Sequence, residues 1–112
     1  MKIKITTTPT FDREYKRLKK RYKSLPDDLL SFEKELTENP EIGVDLGGNI
    51  RKIRIAIKSK NKGKAGGPRI ITYTILVSIS ALEILLITIY DKSEQINISD
   101  SDIKQIMRNN GF

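Results

Sequence analysis

The sequence predicts an α+β domain in which an N-terminal helical hairpin covers one face of an antiparallel β-sheet. Three observations indicate this fold class. The chain opens with alternating apolar residues, two segments with helical periodicity follow, and the second half holds three strand-like runs before a last short helix. At 112 residues the chain has the length of one small domain. We therefore expect a single domain over residues 1–112 with the element order β-α-α-β-β-β-α.

The first two elements are an edge strand and an amphipathic helix. Residues 2–6 read Lys-Ile-Lys-Ile-Thr, and this alternation predicts a strand with Ile3 and Ile5 facing the core. Thr8 followed by Pro9 is typical of a helix start, because proline suits the first helical turn. The apolar face of this helix consists of Phe11, Tyr15, Leu18 and Tyr22.

A second helix follows the first after a short connection. The run from Ser24 to Asp28 combines a cap residue, a proline and two acidic residues, which is again typical of a helix start. Asn39-Pro40 ends the pattern, because the residue before a proline disfavours helical geometry. The apolar positions between these limits are Leu29, Phe32 and Leu36. The two helices are expected to form an antiparallel hairpin.

The next segments are predicted to be a glycine-rich loop and a two-faced strand. Residues 43–49 contain three glycines, which supply positive φ where a side chain would clash. From Ile50 to Lys58, isoleucines alternate with basic and small residues, so one face of the strand is apolar and the other cationic. This alternation places Lys52 and Arg54 on the same face.

The remaining elements are a β-hairpin and a short helix. Arg69–Val77 and Leu82–Tyr90 are rich in β-branched residues, and their nearly continuous apolarity predicts central strands covered on both faces. The intervening residues 78–81 are expected to form the turn. Ser99 is the predicted N-cap of a helix that packs through Ile103, Ile106 and Met107.

The basic residues are unevenly distributed along the chain. The formal net charge is +7, and no acidic residue lies between Asp45 and Glu83. Such a stretch is typical of a surface that binds phosphates, although a solvated charged loop without a ligand would have the same composition. The uncompensated cations are Arg51, Lys52, Arg54, Lys58, Lys60, Lys62, Lys64 and Arg69.

The composition excludes several classes of enzyme. The chain has no histidine and no cysteine, so the commonest general base, the commonest metal ligand and any thiolate nucleophile are missing. The carboxylates are scattered and do not suggest a two-metal site, and Gly63-Lys64-Ala65 lacks the spacing and the hydroxyl of a phosphate-binding loop. We therefore expect no cofactor and no metal. No apolar stretch is long enough to span a bilayer, which predicts a cytoplasmic protein without membrane contact.

Three segments, taken together and in this order, resemble the RelE/ParE toxin superfamily and within it the HigB-type toxins. They are Gly47–Ala56, Lys60–Ile71 and Leu85–Glu94, and the resemblance extends over residues 11–108. It implies a RelE-like microbial ribonuclease fold. It also implies the toxin of a type II toxin-antitoxin system, which inhibits translation by cutting mRNA in the ribosomal A site without a metal.

By this resemblance, catalytic roles fall on Lys52, Arg54, Arg69 and Lys92. RNA carries its own nucleophile, the 2′-hydroxyl, so the protein must align it and stabilise the extra negative charge on the phosphate. Guanidinium groups suit that charge because they bind phosphate bidentately. Nearby cations lower the pKa of a lysine ammonium. The hypothesis is that Lys52 is the general base and Lys92 the acid or charge stabiliser; without the resemblance, Lys52 and Arg54 fit equally the exposed face of a strand.

Auxiliary and binding roles are expected for further residues. Some relatives carry a tyrosine near the C-terminus, whereas residues 95–98 here contain none, so Tyr73, Tyr90 or Glu94 are candidates to replace it. Tyrosines are nevertheless more often core or rim residues. Contacts to ribosomal RNA phosphates, which position without specifying, are expected from Arg51, Lys58, Lys60, Lys62 and Lys64.

Two other functions remain open at this point. A ParE-like member of the superfamily would inhibit DNA gyrase and cut nothing, and a degenerate relative would keep only the binding of its antitoxin. In each case the resemblance implies a cognate antitoxin that covers the basic face through an acidic or disordered segment. Such a partner is expected to carry a DNA-binding domain that represses the operon.

Overall fold

The computed structural model describes residues 1–60 and 67–112, and within these ranges the chain forms three α-helices and a five-stranded sheet. The predicted α+β class and RelE-like architecture are confirmed. The sheet has the order β1-β5-β4-β3-β2. The elements are β1 (Lys2–Thr7), α1 (Pro9–Arg21), α2 (Leu25–Glu38), β2 (Val44–Gly47), β3 (Ile50–Arg54), a short 3₁₀ helix (Lys58–Lys60), β4 (Pro68–Ser78), β5 (Ala81–Asp91) and α3 (Asp100–Asn109).

Strand β1 lies at one edge of the sheet, as expected, but it runs parallel to its neighbour β5. Lys2 pairs with Ala81 and Thr7 with Leu86. The expectation of a wholly antiparallel sheet is therefore wrong at this edge. Strands joined by a hairpin must be antiparallel, whereas two strands that are distant in sequence can pair in either direction.

A short strand, β2, forms where the sequence predicted only a loop. Val44 pairs with Lys52 and Asp45 with Arg51, which places β2 at the other edge of the sheet. Four residues with three nearby glycines give too weak a pattern for a strand, so pairing with β3 decides the conformation. The glycines of this region do have positive φ, as predicted.

Strand β3 ends at Arg54, earlier than the predicted end at Lys58. The backbone N–H groups of Lys58 and Ser59 are bound by two side chains of the α2 region. Asp28, which is buried, accepts from the amide of Lys58 at 3.3 and 3.4 Å, and Ser24 Oγ accepts from the amide of Ser59 at 2.9 Å. These bonds draw the chain away from the sheet into the 3₁₀ helix.

Two of the three predicted helix caps are confirmed. Thr8 Oγ1 accepts from the amide of Phe11 at 3.0 Å, and Ser99 Oγ accepts from the amide of Asp102 at 3.1 Å. The cap predicted at Ser24 is wrong, because this residue has helical φ and ψ and makes no side-chain cap bond. Its hydroxyl instead donates to the Asp28 carboxylate at 2.6 Å. A buried carboxylate that needs donors therefore takes the group that would have capped α2.

The core has two parts, one on each face of the sheet, so most of β5 and the first half of β4 are covered on both faces as predicted. The prediction is wrong for the end of β4, where Leu76 and Val77 are exposed. Each fully buried Leu, Ile or Phe side chain contributes about 1.5–3 kcal/mol to folding. Helices α1 and α2 pack on one face, and α3 packs on the other. The first part includes Phe11, Leu18, Leu36, Ile70, Leu86 and Ile89, and the second includes Ile71, Leu85, Ile87 and Ile103. No helix in the described ranges has both the length and the apolarity needed to cross a membrane.

Candidate active site

Three polar side chains form a row across the middle strands at one end of the sheet. Arg54 of β3 pairs with Arg69 of β4, and Arg69 pairs with Tyr90 of β5. Residues directly opposite each other on neighbouring strands have their Cβ atoms about 4.5–5.5 Å apart and point to the same face. The register therefore places two guanidinium groups side by side next to a phenol.

This row opens into a cleft of about 540 Å³. One wall is the connection from α2 to β2, the floor is the end of the sheet, and the other wall is the segment between β5 and α3. All four residues that the resemblance marked as catalytic line it. The lining residues are Glu35, Ile42, Gly43, Val44, Lys52, Ile53, Arg54, Arg69, Tyr90, Lys92, Ile96 and Asn97.

Arg69 is the most buried of the four cations, with 4% of its surface exposed. Burial, and secondly the charge of Arg54, lower the pKa of its guanidinium. One of its nitrogens donates to the carbonyl oxygen of Gly67. A phosphate would offset the repulsion between these two neighbouring guanidinium groups, so this pair is suited to bind one.

Lys52 lies two residues before Arg54 on the same face of β3, as the alternation predicted. Its Nζ donates to Oδ1 of Asn97, at 3.3 Å, across the cleft. This bond links the middle of the sheet to the segment that precedes α3. It also fixes the direction in which the Lys52 ammonium points.

Lys92 reaches the cleft from a tight turn that follows β5. The backbone carbonyl of Asp91 accepts from the amides of Glu94 and Gln95 at 3.0 Å each, and its carboxylate accepts from the amide of Ser93 at 3.0 Å. These bonds join the residues on both sides of Lys92, so the Lys92 backbone is held in a fixed position relative to Asp91. Lys92 itself is exposed, and it lines the cleft.

The carboxylate of Asp91 is fully buried, and it interacts with helix α1. The hydroxyl of Tyr22 donates to it, and Arg21 lies 3.4 Å away. Burial alone would raise the pKa of Asp91, but the bonds from Tyr22 and Ser93 and the charge of Arg21 outweigh it and hold the pKa below 3.8. Asp91 is thus ionised at neutral pH.

Asp91 should make the fold sensitive to acid. Its carboxylate has a lower pKa in the folded state, so its contribution is complete above pH 3.8 and is lost as the pH falls through the folded-state pKa. We expect Asp91→Asn to lower the free energy of unfolding by about 2 kcal/mol at pH 6 and to flatten its decline in acid. Urea titrations from pH 6 to pH 2 measure both, with the exposed Glu38→Gln as control. Parallel acid profiles for Asp91→Asn and wild type would contradict this.

The three auxiliary candidates have different surroundings. Tyr90 lines the cleft, and burial raises the pKa of its phenol although the charge of Arg69 partly offsets this. Tyr73 lies outside the cleft and packs edge to face on Phe112, with ring centroids 6.4 Å apart. The carboxylate of Glu94 points to α1, where Arg17 binds it at 2.9 and 3.0 Å.

Of the residues expected to contact ribosomal RNA, Arg51 and Lys58 have described side chains, and neither lines the cleft. Arg51 donates to the carbonyl oxygens of Ile42 and Gly43, at 3.0 and 3.4 Å, and so supports the cleft wall from behind. Lys58 is exposed at the start of the 3₁₀ helix. Lys60 ends that helix, and its side chain, like all of Lys62 and Lys64, lies outside the described residues. Binding of RNA by these five residues stays a prediction.

Five cleft residues were not singled out from the sequence: Glu35, Ile42, Val44, Ile96 and Asn97. Glu35 belongs to α2, and nothing in the helical pattern distinguishes it from other exposed acids. Ile96 and Asn97 lie in the segment where the sequence was noted only for lacking a tyrosine. Ile96 is 85% exposed, which is unusual for an isoleucine and is visible only in the structure. Among the described residues, no cluster of three acidic side chains could hold a metal ion.

Comparison with known families gives one match that covers nearly the whole chain. A family model described as the RelE toxin of the RelE/RelB toxin-antitoxin system matches residues 3–110. The match includes β1 and so extends beyond the range of the sequence resemblance. It does not separate HigB-type toxins from other members.

Proposed function

Because the chain belongs to the RelE family of toxins of toxin-antitoxin systems, we propose that it is a ribosome-dependent endoribonuclease that cuts mRNA in the ribosomal A site. It would act in the cytoplasm and inhibit translation. The observation that supports this most is that four cations from β3, β4 and the turn after β5 line one cleft. A concave site of this charge attracts RNA phosphates.

The chemistry follows from the groups that meet in the cleft. The 2′-oxygen of the RNA bonds to the adjacent phosphorus while the bond from phosphorus to the 5′-oxygen breaks, which leaves a 2′,3′-cyclic phosphate and a 5′-hydroxyl. Arg54 and Arg69 stabilise the charge that builds on the non-bridging oxygens. Lys52 takes the proton of the 2′-hydroxyl, and Lys92 donates a proton to the leaving 5′-oxygen. The substrate supplies the nucleophile and side chains supply the positive charge, so the reaction needs no metal.

The direct test is cleavage of a reporter mRNA in a purified translation system, with and without ribosomes. We expect cuts only when ribosomes are present, with the cyclic phosphate and the free 5′-hydroxyl at the new ends. A folded protein that arrests growth but cuts no ribosome-bound mRNA would refute the nuclease proposal. Inhibition of DNA supercoiling would then be measured, although the match to RelE does not favour this ParE-like alternative.

The roles of the two lysines can be separated with a modified substrate. We expect Lys52→Met and Lys92→Met each to lower the cleavage rate about 10²-fold, the usual size of a general acid or base effect. An mRNA with sulfur in place of the 5′-oxygen at the cleavage site has a leaving group that needs no proton. It should restore the rate of Lys92→Met and leave that of Lys52→Met low.

Glu35 is the alternative to Lys52 as the general base, since a carboxylate can accept a proton and this one lines the cleft. Loss of activity in Glu35→Gln together with an active Lys52→Met would assign the base to Glu35 instead. Measurement of single-turnover rates on programmed ribosomes keeps product release out of the comparison.

Membership of this family implies an antitoxin partner. We propose that an acidic segment of it covers the cleft, because cations held close together are stabilised by opposite charge. The same partner would bind operator DNA and repress the operon. Neutralisation of the positive charge of the cleft would then make the toxin inactive in the complex.

A further inference from the structure

Three residues near the end of α1 contact the turn that carries Lys92. We name this set of contacts the α1 clamp; its members are Arg17 and Arg21 of the helix, Tyr22 directly after it, and Asp91, Ser93 and Glu94 at the turn. We propose that the clamp is a positioning device of the active site, through which α1 holds Lys92 in the cleft. The proposal rests on the nuclease function proposed above.

The inner part of the clamp is the buried contact between Tyr22 and Asp91. Tyr22 is 6% exposed, its ring belongs to the core, and its hydroxyl donates to the carboxylate of Asp91. The next residue along the chain is Lys92. A core residue at the end of α1 thus binds the backbone segment immediately before the cleft lysine.

The outer part is a two-point ion pair on the surface. Arg17 binds both carboxylate oxygens of Glu94, at 2.9 and 3.0 Å, and Arg21 donates to the hydroxyl of Ser93 at 3.3 Å. Glu94 and Ser93 follow Lys92 directly, so α1 holds the turn on both sides of this lysine. Planar pairing through two nitrogens fixes direction as well as distance.

Stability alone does not account for the outer contacts. The side chains of Arg17 and Glu94 are 49% and 38% exposed, and exposed ion pairs add little to the free energy of unfolding. Helix α1 is already fixed by Phe11 and Leu18, which are almost fully buried. The outer ion pair therefore matters more for the position of Lys92 than for the free energy of unfolding.

Removal of the Glu94 carboxylate gives the sharpest test. Glu94→Ala removes a negative charge near the cleft, so electrostatics alone would strengthen RNA binding and leave cleavage equal or faster. The clamp predicts the opposite: kcat about tenfold lower, with KM changed less than twofold, because misplaced catalytic groups slow the chemical step. Arg17→Ala should behave in the same way, and the double variant should be no worse than either single one. A kcat for Glu94→Ala at or above the wild-type value would overturn the proposal.

Lys20→Ala is the matched control for charge. Lys20 is an exposed cation of α1 that makes no ion pair with any described residue, so its removal changes the net charge as Arg17→Ala does without touching the turn. We expect its kcat to equal that of the wild type. A kcat of Lys20→Ala as low as that of Arg17→Ala would show a pure charge effect and also overturn the proposal.

Hydrogen exchange of the free protein tests the clamp without any RNA. In Arg17→Ala and in Tyr22→Phe, the amides of Ser93, Glu94 and Gln95 should exchange about tenfold faster, while those of β4 and β5 keep their rates. Unchanged exchange in both variants would overturn the proposal. If the wild type cuts no RNA, the nuclease function fails separately, and the exchange rates still decide whether α1 holds the turn.

Discussion

Replacing Arg69 with methionine is expected to lower RNA cleavage about 10³-fold without loss of stability. The guanidinium stands beside Arg54 in the row that opens into the cleft, where the reacting phosphate would lie. It stabilises charge that exists only as the reaction proceeds, so the loss should appear in kcat and far less in KM.

Whereas Arg69→Met is expected to lose activity, its free energy of unfolding is expected not to fall. Burial and the charge of Arg54 lower the pKa of Arg69, which means that its positive charge is less favourable in the folded protein than in the unfolded chain. An apolar side chain of similar length removes that cost. The free energy of unfolding of Arg69→Met should therefore equal or exceed that of the wild type. This trade between stability and activity is typical of a residue retained for function.

Two variants make this result specific. Arg69→Lys keeps a charge but cannot bind phosphate through two nitrogens, so we expect it to recover only part of the activity. Lys4→Met removes a cation from the exposed edge strand β1, far from the cleft, and should cleave like the wild type. Single-turnover cleavage and urea unfolding of the three proteins provide the comparison. An Arg69→Met protein that is fully active, or one that is much less stable, would contradict the assignment.

The main features of the fold were predictable because they depend on local patterns. The alternation in β1 and β3, the paired runs of β4 and β5 and the caps at Thr8 and Ser99 all involve residues within a few positions of each other. What could not be predicted depends on partners distant in sequence. The direction of β1 is set by β5, about eighty positions later, and β2 is a strand only because β3 lies beside it.

The candidate site likewise combines features set by local sequence patterns with features set by partners distant in sequence. The alternation placed Lys52 and Arg54 on one face, but only the register shows that Arg54 lies opposite Arg69 and Arg69 opposite Tyr90. Glu94 illustrates the limit most clearly. The sequence made it a candidate to replace the tyrosine that residues 95–98 lack, and in the structure its carboxylate binds Arg17, a residue seventy-seven positions away. Sequence proximity to Lys92 does not reveal which way a side chain points.

Replacing Gly43 with alanine is expected to lower the free energy of unfolding by about 3 kcal/mol, the largest stability effect proposed for this chain. Gly43 has φ of +87°, where a residue with a Cβ is strained. A Cβ at this position would also lie 2.5 Å from the carbonyl oxygen of Lys52 and 2.7 Å from Cγ1 of Ile53. A backbone oxygen cannot move aside as a flexible side chain could, so β2 must separate from β3.

Gly48 is the matched control for this substitution. Its φ of +60° is also positive, but a Cβ there would meet no atom within 4 Å, so Gly48→Ala should cost about 1 kcal/mol from backbone strain alone. Urea unfolding of both variants separates steric contact from strain, and equal losses would refute the contact. Gly43 also lines the cleft next to Lys52. If β2 separates from β3, the cleft wall that contains Gly43 is displaced with it. Gly43→Ala protein that remains folded should therefore cleave RNA more slowly than Gly48→Ala. This result would link the close approach of two backbones to the geometry of the candidate active site.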